Sequence, residues 1–347
     1  MKWRTFDRFP DGNGSWQYMR TPSSRVKTGK EVVERALRNW NPVNPIVVAT
    51  PDSKKFLPPI CIPSIATNLH LRMLKKYKTA IAIFLFALVA NVVLWFFNHM
   101  YRITMATEIL FPFLTFIVID YSFVLKKMND TVDRALFVNW IYQYTSKLAR
   151  PAMALMIIVG CAQIFLQFML GGLEPVIIKY GTLFSSVETG EWWRFIIGPY
   201  FHIGFFHWMN NFFLLSVAMA IAGVMARRIL LLYFVIINAL SAFSVWWFSG
   251  GLQIDSVAGI SGGIFGLFGW IVAVSMRYRD FFPSYFWLTI LLFTSLTIFI
   301  SSMFPHVSNI AHLSGFLVGV VFGILGAGIS REISECGIDS GGSRPNT

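Results

Sequence analysis

Two polar residues in apolar surroundings carry the chemistry this sequence offers. Ser261, within Gly259-Ile260-Ser261-Gly262, opens one hydrophobic stretch, and His312 lies inside another. A serine hydroxyl is a weak nucleophile until a base takes its proton, and a neutral imidazole suits that task. The resulting imidazolium can then protonate a leaving amine. Polar groups in hydrocarbon are costly, so each needs a structural or chemical reason to be there. The pair points to proteolysis inside a membrane.

Depth supports the pairing. Asn211 precedes Arg227 by 16 residues, Ser261 precedes Arg277 by 16, and His312 precedes Arg331 by 19. At the helical rise these separations are about 24, 24 and 28 Å, so three polar residues on three helices share one level. Gly315, Gly319 and Gly323 follow His312 along one helix face, and Gly259, Gly262, Gly263, Gly266 and Gly269 bare the surface around Ser261. Small residues at such spacing allow backbones to approach closely in membranes. Glycine-to-glycine packing would bring the Ser261 hydroxyl to the His312 ring. Helix packing with an incidental serine and histidine is the plainer alternative.

Ser261 begins its helix, where free N–H groups and the positive dipole end favour an oxyanion. His207 and Asn211, four apart, share a face and supply side-chain donors at that level. Asn210 projects about 100° away from them. The alternative for His207 and Asn211 is a buried polar pair joining helices. No carboxylate lies on the His312 helix and Asp255 lies too far out, so a dyad is expected rather than a triad. His202 is expected to pin the outer segment ahead of its helix. His70 and His306 receive no chemistry.

These residues need membrane helices to position them. A hydrophobic fraction of 55%, a mean hydropathy of +0.59 and 13% charged residues exclude an ordinary soluble domain. About eight apolar stretches have spanning length: 79–98, 104–125, 152–170, 206–225, 229–248, 259–276, 284–303 and 308–329. The first starts too far along the chain to be a cleavable signal. The expected fold is all-α: a six-helix core domain over 151–330, preceded by a transmembrane hairpin, 79–125, and a connector, 126–150. A basic N-terminal region, 1–78, and a tail, 331–347, complete the chain. Within 1–78 a short helix is expected over Lys30–Trp40, and prolines argue for irregular structure over 42–63. Glu108 and Asp120 are expected at opposite ends of the hairpin, each reaching the interface. Glu191-Trp192-Trp193-Arg194, in a long outer segment, suits the headgroup level.

Of the formal charge of +12, residues 1–78 hold 15 Lys/Arg against 5 Asp/Glu. Arg72, Lys75, Lys76 and Lys78 adjoin the first span and place the N-terminus inside. The later basic clusters each follow an even number of spans, so both termini fall on the cytoplasmic side. The basic region suits anionic lipid; no motif supports nucleic-acid binding. Cys61, Cys161 and Cys336 are scattered, implying neither disulfides nor a metal site. No metal or cofactor is expected. Asp7 and Asp11 argue against an organellar presequence, so a bacterial inner membrane is expected.

At these positions the chain resembles the rhomboid family of intramembrane serine proteases. The likeness covers about 150–330. It rests on Gly190-Glu191-Trp192-Trp193-Arg194, the spacing of His202, His207 and Asn211, Gly259-Ile260-Ser261-Gly262, and Ala311-His312-Leu313-Ser314-Gly315 with Gly319. The resemblance implies Ser261 as nucleophile, His312 as base, and His207, Asn211 and the Ser261 N–H as the oxyanion hole. His202, Arg194, Gly259, Gly262 and Gly315 would support them. Substrates would be membrane proteins cut in or near a transmembrane segment. By analogy, the Phe-rich stretch 286–299 would form a lateral gate and 301–309 a cap. Some members carry a tyrosine where this chain has Phe265. A catalytically dead client-binding relative and a transporter or channel are the competing readings; both polar partners are retained and no inverted repeat is evident.

Overall fold

The computed structural model describes residues 11–21, 25–53, 55–97, 105–223, 225, 229–248, 255–303 and 308–326. Asp7, Arg227, Arg228, His306, Arg331, Cys336 and the Glu108 side chain lie outside the described residues. The chain divides into two compact units, one of residues 1–143, 279–296 and 337–347, the other of 144–278 and 297–336.

The first unit begins with a small sheet. Strands β1 (Gln17–Arg20), β2 (Lys27–Thr28) and β3 (Ile46–Ala49) lie in the order β2-β1-β3, all antiparallel, with helix α1 (Lys30–Leu37) between β2 and β3 in sequence. The run Ile46-Val47-Val48-Ala49 is buried throughout, and its β-branched residues favour a strand despite the flanking prolines. Irregular structure was expected there; the apolar run overrides the proline signal. Val33 and Leu37 of α1 join Trp40, Ile46 and Val48 in a core that also includes Leu69 and Met73 of helix α2 (Pro63–Phe97).

Helix α3 (Met105–Asp120) packs against α2, and a π-helical turn, Tyr121–Leu125, leads on from it. His70 in α2 bonds the Leu125 carbonyl at 2.9 Å, and the Thr131 hydroxyl donates to the same oxygen at 3.2 Å. Such bonds satisfy a carbonyl that leaves the regular ladder. Helix α4 (Met128–Leu170) runs unbroken through the stretch read as a connector. Asp120 is not an interface carboxylate as expected. It is buried and meets two Arg134 nitrogens of α4 at 2.8 and 2.9 Å, and the nearer of these nitrogens also donates to Thr289 at 2.7 Å.

In the second unit, α5 (Leu173–Tyr180), β4 (Thr182–Leu183), α6 (Phe184–Glu188) and α7 (Arg194–Ile197) build the segment after α4. Helices α8 (Phe205–Gly223) and α9 (Leu230–Phe248) follow, then β5 (Ser256–Val257), α10 (Ser261–Arg277) and α12 (Asn309–Leu325), while α11 (Phe286–Ser301) is divided, its residues up to Leu296 belonging to the first unit. Every residue from Ser261 to Ser275 is buried, as expected of a helix apolar on all sides. Glycines from both helices line much of the seam where α10 meets α12. A methyl on Gly315 would strike the Gly262 carbonyl, one on Gly319 that of Gly266, and one on Gly269 that of Phe316. Here the two backbones touch.

Among the described residues, four stretches are long and apolar enough to cross a membrane: Pro63–Leu94, Arg150–Leu170, Phe205–Gly223 and Leu230–Phe248. Four shorter apolar helices, Leu110–Leu125, Ser261–Arg277, Phe286–Ser301 and Asn309–Leu325, accompany them. Each overlaps one of the eight apolar stretches read from the sequence, but only the first four have spanning length. The architecture is all-α and polytopic, apart from the small sheets.

Candidate active site

The histidine is set by a capped helix start. Ser308 precedes α12 and its hydroxyl accepts from the Ala311 N–H at 3.2 Å, satisfying one of the amides that a helix start leaves unpaired. His312 follows, one position after Ala311. Its Nε2 lies 2.9 Å from the Ser261 hydroxyl. Both are buried, at 4% and 9% exposure, so water does not compete for the contact. The Phe265 ring, one turn beyond Ser261, lies 4.3 Å from the imidazole at 39°.

The backbone ahead of Ser261 is braced twice. Strand β5 pairs antiparallel with β4, Thr182 facing Val257 and Leu183 facing Ser256. The Gly259 N–H donates to the Phe201 carbonyl at 2.7 Å. Gly259 has φ +94°, where a side chain would be strained. A Cβ there would lie 2.5 Å from His207 Cε1 and 3.3 Å from Asn211 Nδ2, so both α8 side chains converge on this bare backbone. Asn211 is 1% exposed and its Nδ2 has no hydrogen-bond partner. A buried amide without a partner is costly and unusual.

A cavity of about 90 Å³ joins His207, Asn211, Ser261, Phe265, Ser301 and His312. The structure thus gathers four of the expected site residues around one space. Asn210 lines it as well, although it is exposed. Ser261 is the first residue of α10, and the first-turn amides of a helix point outward from its start without intrahelical partners. The group holds a hydroxyl, an imidazole in contact with it and further side chains able to donate hydrogen bonds. Among the described residues no cluster of three His, Cys, Asp or Glu could hold a metal.

Arg194 and His202 lie outside the lining of that cavity. Arg194 is 4% exposed; its Nε meets Glu191 at 2.6 Å, another nitrogen donates to the Gly181 carbonyl at 2.6 Å, and its guanidinium lies 4.8 Å from the Trp193 ring centre. It therefore fastens the segment that carries β4. His202 is expected to pin the outer segment, and its ring nitrogens make no full hydrogen bond. Its backbone is held instead, donating to Gln163 Oε1 at 2.9 Å and accepting from Gln163 Nε2 at 2.6 Å. The ring lies edge-on to His207 at 5.3 Å, with neither nitrogen in full hydrogen-bond geometry. Burial, and then His207, push its pKa down to about 3, against a weak opposing pull from the Tyr200 backbone. His202 is neutral across the physiological range.

Three polar residues escaped the sequence reading. On α9, the Asn238 carbonyl oxygen accepts from the Gly263 N–H at 3.0 Å, and the Ser241 hydroxyl donates to the Ala311 carbonyl at 2.7 Å. They tie the first turns of α10 and α12 to a common helix. Two polar residues three apart in an apolar helix were the available signal. The third is Ser301, whose hydroxyl lies 3.2 Å from His312 Nδ1. Among the cysteines, Cys161 is exposed and Cys61 half-buried; burial, with Asp133 adding to it, pushes the Cys61 thiol up to about 12. That thiol is unreactive at neutral pH.

Residues 189–328 match the family profile of the Rhomboid domain, a stretch that includes α7 to α12 and every expected site residue. No curated protein matches the chain.

Proposed function

We propose, from the premise that this chain is an integral membrane protein of the rhomboid family of intramembrane serine proteases, that it is a serine endopeptidase. It cuts membrane proteins in or near a transmembrane segment. The observation that carries the reading is the 2.9 Å contact between His312 Nε2 and the Ser261 hydroxyl, buried on two helices in backbone contact.

In the reaction, Ser261 Oγ attacks the scissile carbonyl carbon as its proton passes to His312 Nε2. The carbonyl oxygen becomes an oxyanion. The Asn211 amide, His207 and the Ser261 N–H stabilise it, a task for which the unpartnered Asn211 Nδ2 is suited. The imidazolium gives its proton to the leaving nitrogen, the C–N bond breaks, and an acyl-serine remains. Water, deprotonated by His312, then cleaves the ester and restores the serine. Gly259, Gly262 and Gly315 serve by lacking side chains; Arg194 and His202 serve by holding the outer segment. A transmembrane substrate must unwind locally, because helical carbonyls are engaged in the ladder.

The protease domain is assigned to 151–330, with the hairpin 79–125, connector 126–150, basic region 1–78 and tail 331–347 as accessory parts. Both termini face the cytoplasm of a bacterial inner membrane, a placement supported by Arg72, Lys75, Lys76 and Lys78 beside the first span. The same basic region suits contact with anionic lipid.

The test is cleavage of a single-span substrate by purified protein in detergent, with Ser261→Ala and His312→Ala beside it. Release of a fragment ending in the membrane segment by the wild type alone is expected. Equal cutting by all three would sink the assignment, and no cutting by any would favour a client-binding role.

A further inference from the structure

Ser301 ends helix α11, and its hydroxyl oxygen has two neighbours. It lies 2.8 Å from the Ile298 carbonyl, one turn back in the same helix, and 3.2 Å from His312 Nδ1. A carbonyl can only accept, so the single hydroxyl proton goes to Ile298. The Ser301 oxygen is left with lone pairs toward the imidazole. An acceptor at Nδ1 favours the tautomer that carries its proton there, and Nε2 then presents a bare lone pair to Ser261 at 2.9 Å. The opposite tautomer would aim an N–H at the nucleophile and could take no proton from it.

We propose that Ser301 is a positioning residue that selects the tautomer and fixes the ring plane of His312. The inference rests on the protease reading above and deepens it. In aqueous serine protease sites a buried carboxylate does this work. Within a bilayer a charge is expensive, and a neutral hydroxyl whose own proton is already committed performs the orienting task without one. Phe265 covers the ring face at 4.3 Å, and His207 is the other titratable residue lining the cavity. The ring is thus held by packing on its face, by an acceptor at Nδ1 and by the Ser261 hydroxyl donating at Nε2. It follows that His312 is competent only while the end of α11 stays in register with α12.

The test compares wild type with Ser301→Ala and Ser301→Thr, using single-span substrate cleavage and labelling of Ser261 by a fluorophosphonate probe. Ser301→Ala should lower kcat and the labelling rate about tenfold, the scale of one hydrogen bond, with KM unchanged. It should also shift the acidic limb of the pH–rate profile to lower pH, because the lost acceptor favours the imidazolium most. Ser301→Thr retains the hydroxyl and should restore both. Histidine-selective ¹⁵N spectra, with His312→Ala identifying the resonance, should report proton on Nδ1 in wild type and a mixture in Ser301→Ala. An active wild type with unchanged kcat and tautomer in Ser301→Ala overturns the positioning role alone. Cleavage surviving Ser261→Ala overturns the protease reading and the positioning role together.

Discussion

Around Arg134 the first unit buries charge and closes it: Asp120 lies at 2.8 and 2.9 Å, and Thr289 accepts from the same guanidinium at 2.7 Å. Around Ser261 the second unit does the reverse, keeping the Asn211 amide buried with no partner. Other buried nitrogens also lack partners, on Trp40, His202, Asn238 and Trp270, but Asn211 alone of them lines the cavity of Ser261 and His312. A buried charge with its counter-ion beside it is neutralised within the fold; a buried donor with no partner beside a cavity is free to meet a ligand. The two buried polar sites are thus built in opposite ways, and substitutions should separate them.

The widest separation should come from His312→Ala. Loss of the base should reduce cleavage at least about 10³-fold, while thermal unfolding in detergent stays near wild type. A large fall in melting temperature would show the histidine to be structural. Asn211→Ala comes next, with kcat lower by about 10²–10³-fold, the usual cost of one oxyanion donor. Its stability should hold or rise, since an unpaired buried amide is removed. Arg134→Ala should behave in the opposite way. Breaking a buried ion pair costs about 3–5 kcal/mol, which would appear as a lower melting temperature with per-molecule activity retained in the folded fraction. A catalytic loss at unchanged stability would erase the contrast.

Smallest is the effect of pH through His202. Its folded pKa of about 3 lies below the ordinary 6.5, so the unfolded chain binds the extra proton between those values. The contribution to stability is complete above about pH 6.5 and is lost as pH falls toward 3. Melting temperature against pH should therefore decline less steeply on the acid side in His202→Gln than in wild type.

The site was more legible than its frame. Ser261, His312, His207 and Asn211 could be read because helical rise and face are nearly fixed by sequence spacing, and because polar residues in apolar runs stand out. Glycine spacing likewise foretold the contact of α10 with α12. The β3 strand was hidden because prolines flank its apolar run, and local composition cannot weigh the core it joins. Asp120 could not be paired in advance, since Arg134 lies beyond an irregular π-helical turn that spacing rules do not traverse. Ser301 was missed for a different reason: its role depends on where its one proton goes, which a sequence does not record. Gln163 too was invisible, because its partners are backbone atoms of a residue singled out for its ring.

The glycine contact between α10 and α12 has a bearing on lipid. A bilayer thinner or thicker than a helix is accommodated largely by tilt, which alters the spacing of helices separated by flexible side chains. Two helices whose backbones touch, at Gly262 with Gly315 and at Gly266 with Gly319, leave no side chain between them to yield and must tilt as one piece. Ser261 and His312 ride on that piece. Changing acyl-chain length should therefore alter how readily a substrate arrives, while the intrinsic reactivity of the serine stays constant from one membrane to another.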